Sequence, residues 1–207
     1  MTYQCGTANA ALRVAWLVLL VILPAVYAEE QQGPREIPGW GHFEDPSGEA
    51  VLQVEENSVV ITSAKNELTA RSPLGSLPRI VRAVEGNFDV QVRVSGSFIE
   101  PYQSAVLMAI ADEAEYMRID CGTDRYRRVE VSTGLMVNGA FRGGMPRFVT
   151  STSMWLRLQK ENVELRSFYS YDGKQWIKSY HSTDASFPDG RVFEFEEPMR
   201  VMLLVHN

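Results

Sequence analysis

At 207 residues, with 45% hydrophobic and 22% charged side chains, the chain has the composition of one soluble globular domain with a short leader. Its formal net charge of −6 argues against nucleic acid or an anionic membrane as partner, since phosphate binding needs a basic stripe. The nearest candidate, Arg125-Tyr126-Arg127-Arg128, is short and bracketed by Asp124 and Glu130, which suits a solvated edge as well as an anion site.

Residues 1–28 read as an export signal. Arg13 and the amino terminus supply the positive end, Val14 to Leu23 form an apolar run, and Pro24 breaks it. Val26-Tyr27-Ala28 then offers small residues at the cleavage positions before Glu29. The run is shorter than the ~20 residues that span a bilayer comfortably; an uncleaved anchor is the alternative. Cys5 precedes the run, so it is not a lipidated cysteine at the cleavage site. Cleavage would leave Cys121 alone, without an internal disulfide, and its phase with Met117 and Ile119 predicts a buried thiol.

Residues 29–38 read as a flexible polar lead-in, and residues 39–207 as the folded domain. After a turn at Asp45-Pro46-Ser47-Gly48, short strands are expected at 51–55 and 58–63, then a surface loop at 66–78 and a strand at 79–84. From Phe88 the pattern is clearest. Phe88, Val90, Val92 and Val94 alternate with Asp89, Gln91, Arg93 and Ser95, the period of a strand with one buried face. Residues 104–111 are almost continuously apolar, as in a central strand covered on both faces. Further strands are expected at 116–121, 126–132, 135–140, 154–160, 163–171, 175–182 and 199–206. Nowhere does an apolar stripe of helical period persist. The fold class predicted is an all-β antiparallel jelly-roll sandwich, with a helix only in the signal.

Several stretches resemble a bacterial family of concanavalin A-like sandwiches of unknown function, some members of which carry the name regulation of enolase protein. They are Pro78 to Val94, Tyr102 to Leu107, Glu115 to Asp120, Trp155 to Leu158, Ser170 to Trp176 and Val201 to Asn207. The resemblance runs from about Trp40 to the C-terminus. It implies a lectin/glucanase-like jelly roll of two curved sheets, often exported or attached to larger polysaccharide-active proteins. It implies no catalytic residues, because that family has no agreed set. Its pattern usually continues into a further strand that closes one sheet, whereas this chain stops at Asn207. Either the 40–55 segment covers that edge, or the edge is open to a partner.

Gln91, Arg93, Tyr116, Arg118, Asp120, Arg157 and Gln159 fall out of phase with the buried residues. On neighbouring strands they would give one sheet a polar face whose guanidinium forks and amides suit hydroxyl-rich or carboxylated ligands. A cross-strand salt-bridge ladder is the competing reading. Trp176 follows Asp172-Gly173, a tight-hairpin signal, and either packs on the hairpin's flank or stacks a sugar. The ligand-binding set expected is thus Gln91, Arg93, Tyr116, Arg118, Asp120, Arg157 and Trp176.

Catalysis has thinner support. Glycoside hydrolysis needs two suitably placed carboxylates, and Glu113-Ala114-Glu115 and Glu194-Phe195-Glu196 have alternate spacing without completing a sandwich-glucanase triplet. His42, His181 and His206 lack ligand-register partners, so neither a metal nor a cofactor is expected. The sequence therefore predicts an exported, secreted or periplasmic, non-catalytic module that binds a polysaccharide or an envelope protein. The alternatives are a sandwich-glucanase-type enzyme and a structural interaction module with an open sheet edge.

Overall fold

A computed structural model describes residues 12–18, 35–63, 74–143, 146–181, 195 and 198–206, with the backbone alone at 12–18, 143 and 180–181. The strands in chain order are β1 (Leu12–Val18), β2 (Arg35–Ile37), β3 (Gly41–Glu44), β4 (Val51–Val54), β5 (Ser58–Thr62), β6 (Arg79–Val84), β7 (Phe88–Ser95) and β8 (Ser104–Asp112). They continue as β9 (Glu115–Thr123), β10 (Val129–Val137), β11 (Ala140–Gly143), β12 (Arg147–Phe148), β13 (Ser153–Glu161), β14 (Glu164–Ser170), β15 (Ile177–His181) and β16 (Met199–His206).

Two sheets share these strands. A seven-stranded sheet runs β15-β14-β13-β7-β1-β5-β4, and a nine-stranded sheet runs β11-β10-β9-β8-β16-β6-β3-β2, with β12 paired to β10. The all-β sandwich expected from the sequence is therefore present, and the period-two pattern is its cause. Phe88, Val90, Val92 and Val94 of β7 and Met154, Leu156 and Leu158 of β13 face Leu107, Met117, Ile119, Val131 and Leu203 of the other sheet in one core. Apolar side chains of two inner faces interdigitate there and exclude water. Thr133 of β10 crosses the core to hydrogen-bond with Ser167 at 3.1 Å and Ser179 at 2.7 Å, which satisfies three hydroxyls between the sheets.

β8 is covered on both faces, as its apolar run implies. Its outward Val106, Met108 and Ile110 join Leu77, Val81, Tyr116, Met136, Met202 and Leu204 in a second apolar cluster, on the outer face of the nine-stranded sheet. Cys121 is buried in the main core. Burial, reinforced by the charge of Asp120, pushes its thiol up to about 12, so it stays protonated and inert at neutral pH.

Two local readings differ from the fold, over 126–140 and in the lead-in. Residues 126–140 do not form two strands: β10 runs through Thr133-Gly134 unbroken, and Tyr126 belongs to the preceding turn. There Asp124 accepts from the N–H groups of Tyr126 and Arg128, which closes the turn ahead of the strand. The lead-in contains β2, whose Ile37 enters the core. The 40–55 segment supplies β3 to one sheet and β4 to the other. The position between β5 and β7 is taken by β1, parallel to both, while every other pairing among the described strands is antiparallel. Apart from the β1 backbone, the expected signal helix and its cleavage positions lie outside the described residues.

Candidate functional site

The seven expected ligand residues do not share a face. Gln91, Arg93, Arg157 and Trp176 lie on or beside the outer side of the seven-stranded sheet, whereas Tyr116, Arg118 and Asp120 line β9 in the nine-stranded sheet. A period-two reading assigns each residue to an outward face but cannot say which sheet the face belongs to.

On the seven-stranded side the polar residues largely satisfy one another. Arg157 forks onto Asp89, with Nε 2.7 Å from Oδ1 and a second bond from Nη2 to Oδ2. Its guanidinium also lies over the rings of Phe168 and Trp176, at 5.5 and 5.2 Å from the centroids. Arg93 donates to the Ser153 hydroxyl at 3.1 Å. The hairpin after β14 is tightly made. Asp172 accepts from the N–H groups of Gln175 and Lys174 and from the Ser170 hydroxyl, which hold its carboxyl below the ordinary value. Asp89, Gln91, Arg157, Gly173 and Trp176 line a depression of about 330 Å³ here, but its one cation is already paired. This face matches the ladder reading.

The nine-stranded side is different. Register places His206, Ser104, Gly122, Glu130 and Phe148 in one row across five strands, and Leu204, Val106, Asp120 and Ser132 in the next. Met202, Met108, Arg118 and Gly134 form the third. Tyr102, Ser104, Arg118, Asp120, Gly122 and Thr123, with Glu130, Ser132 and His206, enclose an open depression of about 190 Å³.

Glycines shape it. A Cβ on Gly122 would fall 2.2 Å from the Gln103 carbonyl oxygen and 2.4 Å from the Ser104 Cβ, so no larger residue fits that part of the floor. A Cβ on Gly134 would meet the Phe141 ring at 2.9 Å and Arg118 Nε at 3.0 Å. The bare backbone of Gly134 therefore lets Arg118 lie across β10 beneath Phe141, whose centroid is 5.9 Å from the guanidinium carbon.

Arg118 and Asp120 are the unresolved pair. Their side chains are only 15% and 13% exposed, and Nε stands 3.6 Å from Oδ1. That is an ion pair but too long for a hydrogen bond. Asp120 Oδ2 accepts from the Ser132 hydroxyl at 3.1 Å, while Arg118 Nε and Nη1, Asp120 Oδ1 and the neighbouring Tyr116 hydroxyl are buried without any hydrogen bond. Unmade buried bonds of this kind cost about 1–3 kcal/mol each. Beside them, burial and the charges of Asp124 and Asp120 push the Glu130 carboxyl above its ordinary value, against the pull of Arg128.

The rim is aromatic. Tyr102 is 58% exposed and holds a left-handed φ of 67°, a conformation rare for a bulky residue; its N–H is fixed to the Thr123 carbonyl at 3.1 Å. Phe148 is exposed opposite Glu130, with Arg128 4.1 Å from its ring centroid. Arg128 is itself held by Asp124, at 2.7 Å from Nη2, and Arg127 by Glu100 at 2.9 Å. The Arg125–Arg128 run is thus an edge in which these two arginines are already paired.

Sequence reasoning found Arg118 and Asp120 but missed Glu130, Ser132, Ser104, Tyr102 and His206. Glu130 and Ser132 alternate with Val131 and Thr133, a signal that was readable; the remainder depends on cross-strand register. Glu113 and Glu115 flank the β8–β9 turn and do not line the depression. Glu194 and Glu196 lie outside the described residues. Among the described residues no cluster of His, Cys, Asp and Glu could hold a metal ion.

Comparison with curated proteins gave no match. Solved structures resemble the fold. A protein of unknown function from Saccharomyces cerevisiae aligns with a TM-score of 0.62 at 20% identity, over 81% of this chain and 87% of that one. The GH43 BlXynB protein from Bacillus licheniformis aligns at 0.55 and 14% identity over 83% of this chain. A xylan beta-1,4-xylosidase from Bacillus Halodurans C-125 aligns at 0.51 and 10% over 88%. The alignments span only 30% and 38% of those two longer chains. At such identities the likeness concerns the fold alone. A family model matches residues 70–190, more than half of the sequence, and the chain therefore belongs to the family described as Protein of unknown function (DUF1349).

Proposed function

We propose that the protein is an exported, non-catalytic sandwich module that binds glycan through the depression on its nine-stranded sheet. The observation that carries this reading is the Arg118–Asp120 pair. It combines buried opposite charges, incomplete hydrogen bonding and a position in the wall of an open depression that hydroxyls and glycines complete. A sugar hydroxyl both donates and accepts, so it suits a depression lined by carboxylates, hydroxyls and a guanidinium, and exposed rings at the rim suit the apolar face of a pyranose. That two of the similar folds occupy about a third of longer chains, the GH43 BlXynB protein and a xylan beta-1,4-xylosidase, supports a modular role beside polysaccharide-active partners. Expected partners are a polysaccharide or envelope component in the secreted or periplasmic space.

The test is a glycan array probed with the wild-type chain and with Arg118→Ala and Asp120→Asn. Each variant is expected to lose at least tenfold in binding while circular dichroism and melting remain those of a folded sandwich. Arg157→Ala, on the opposite sheet, is expected to lower stability and leave binding intact. Undiminished binding by folded Arg118→Ala defeats the reading.

One observation favours a second reading, a glycan-cleaving enzyme. Asp120 and Glu130 line the same depression as diagonal neighbours, and Glu130 has the raised carboxyl of a general acid. Release of reducing ends from bound glycans, abolished by Glu130→Gln, would select it over simple binding.

A further inference from the structure

The charge of the depression narrows the ligand class, given the glycan reading above. Arg118 brings one positive charge, and Asp120 and Glu130 bring two negative ones. Arg118 is already answered by Asp120. Arg128, at the adjoining edge, is paired with Asp124 and stacked on Phe148. Among the described lining residues, Arg118 is the one basic side chain besides His206. Burial is the first cause of the raised Glu130 carboxyl, and the charges of Asp124 and Asp120 add to it.

Hydrogen-bonding chemistry points the same way. The lining offers acceptor-only groups in Asp120 and Glu130, a donor-only group in Arg118, and hydroxyls of both kinds in Tyr102, Ser104 and Ser132. A ligand carboxylate accepts only, so it could answer the donors and would leave the two protein carboxylates facing a third. A neutral polyol answers both.

We propose that the site takes a neutral, polyhydroxylated sugar chain, of the xylose, glucose or mannose type, and discriminates against uronic acids and other anionic glycans. Discrimination comes from like charge at a partly desolvated site, where screening by salt is weaker than on an open surface.

The experiment is titration calorimetry of the full chain at pH 7 against xylose, glucose and mannose β-1,4-linked hexamers and an oligogalacturonate hexamer, at fixed ionic strength. At least one neutral hexamer is expected to bind tenfold or more tighter than the anionic one. Glu130→Gln should narrow that gap by strengthening oligogalacturonate binding, with the fold checked by circular dichroism. Equal or tighter binding of oligogalacturonate by the wild type overturns this inference and leaves the glycan reading standing. Binding of none of the hexamers, or of any other glycan on the array, removes the glycan reading and this inference with it.

Discussion

Glu130 is half-buried between Gly122 and Phe148, and its carboxyl is held above the ordinary value of 4.5 first by desolvation, then by Asp124 and Asp120. The sign of the consequence follows from proton linkage. A carboxyl with a higher pKa in the folded state binds protons more tightly there, so stability falls as pH rises from about 4.5 through the folded value. Above that window the penalty is complete; below 4.5 it is gone. Glu130→Gln is therefore expected to melt higher than wild type at pH 7, with the two curves converging on acidification. A difference that grows on acidification would contradict this assignment. Asp172 has the opposite sign, because hairpin N–H groups hold its ionised form, and Asp124 is lowered too. Glu130 and Asp172 thus differ in sign through what the fold puts beside each carboxyl.

At the scale of the strand, β9 and β10 build the site through what they omit. Glycine at 122 makes room for backbone, since the obstacle is the fixed Gln103 carbonyl. Glycine at 134 makes room for side-chain ends, since the obstacles are Phe141 and Arg118. Gly122→Ala is expected to cost about 1–3 kcal/mol, a fall of several degrees in melting temperature for a domain of this size. Gly134→Ala should cost less in stability and more in ligand binding, because the side-chain ends of Phe141 and Arg118 are what must move. Equal effects of the two substitutions on both measurements would show that the glycines do not divide the work this way. The sequence made β7, β8 and β9 readable because alternation and apolar runs are local signals. Thr133-Gly134 misled because glycine commonly ends a strand, whereas here it admits neighbouring side chains. Asp89 was readable as outward but not as the partner of Arg157, which lies 68 positions away in the chain.

For the molecule as a whole, the sandwich was legible and the site was half legible. Valines at 90, 92 and 94 announce a covered sheet wherever they pair. Arg93, Arg118 and Arg157 look equivalent in sequence and become three different things: one bonded to a hydroxyl, one buried beside an ill-matched aspartate, one clamped between a carboxylate and two rings. Only pairing across sheets separates them. The same pairing gives β1 a meaning its composition hides. Leu12–Val18 lies within residues 1–28, which read as an export leader, yet its backbone occupies the position between β5 and β7. If this segment is a cleaved leader, cleavage and strand insertion are competing fates for it. A chain cut after Ala28 would leave those two strands as opposing rims, two strand spacings or roughly 10 Å apart, each with unmet amides and carbonyls. Such a gap selects for extended main chain before it selects for side chains. Maturation would then be a change of ligand as well as of address: the processed protein would seek a strand that the precursor already carries.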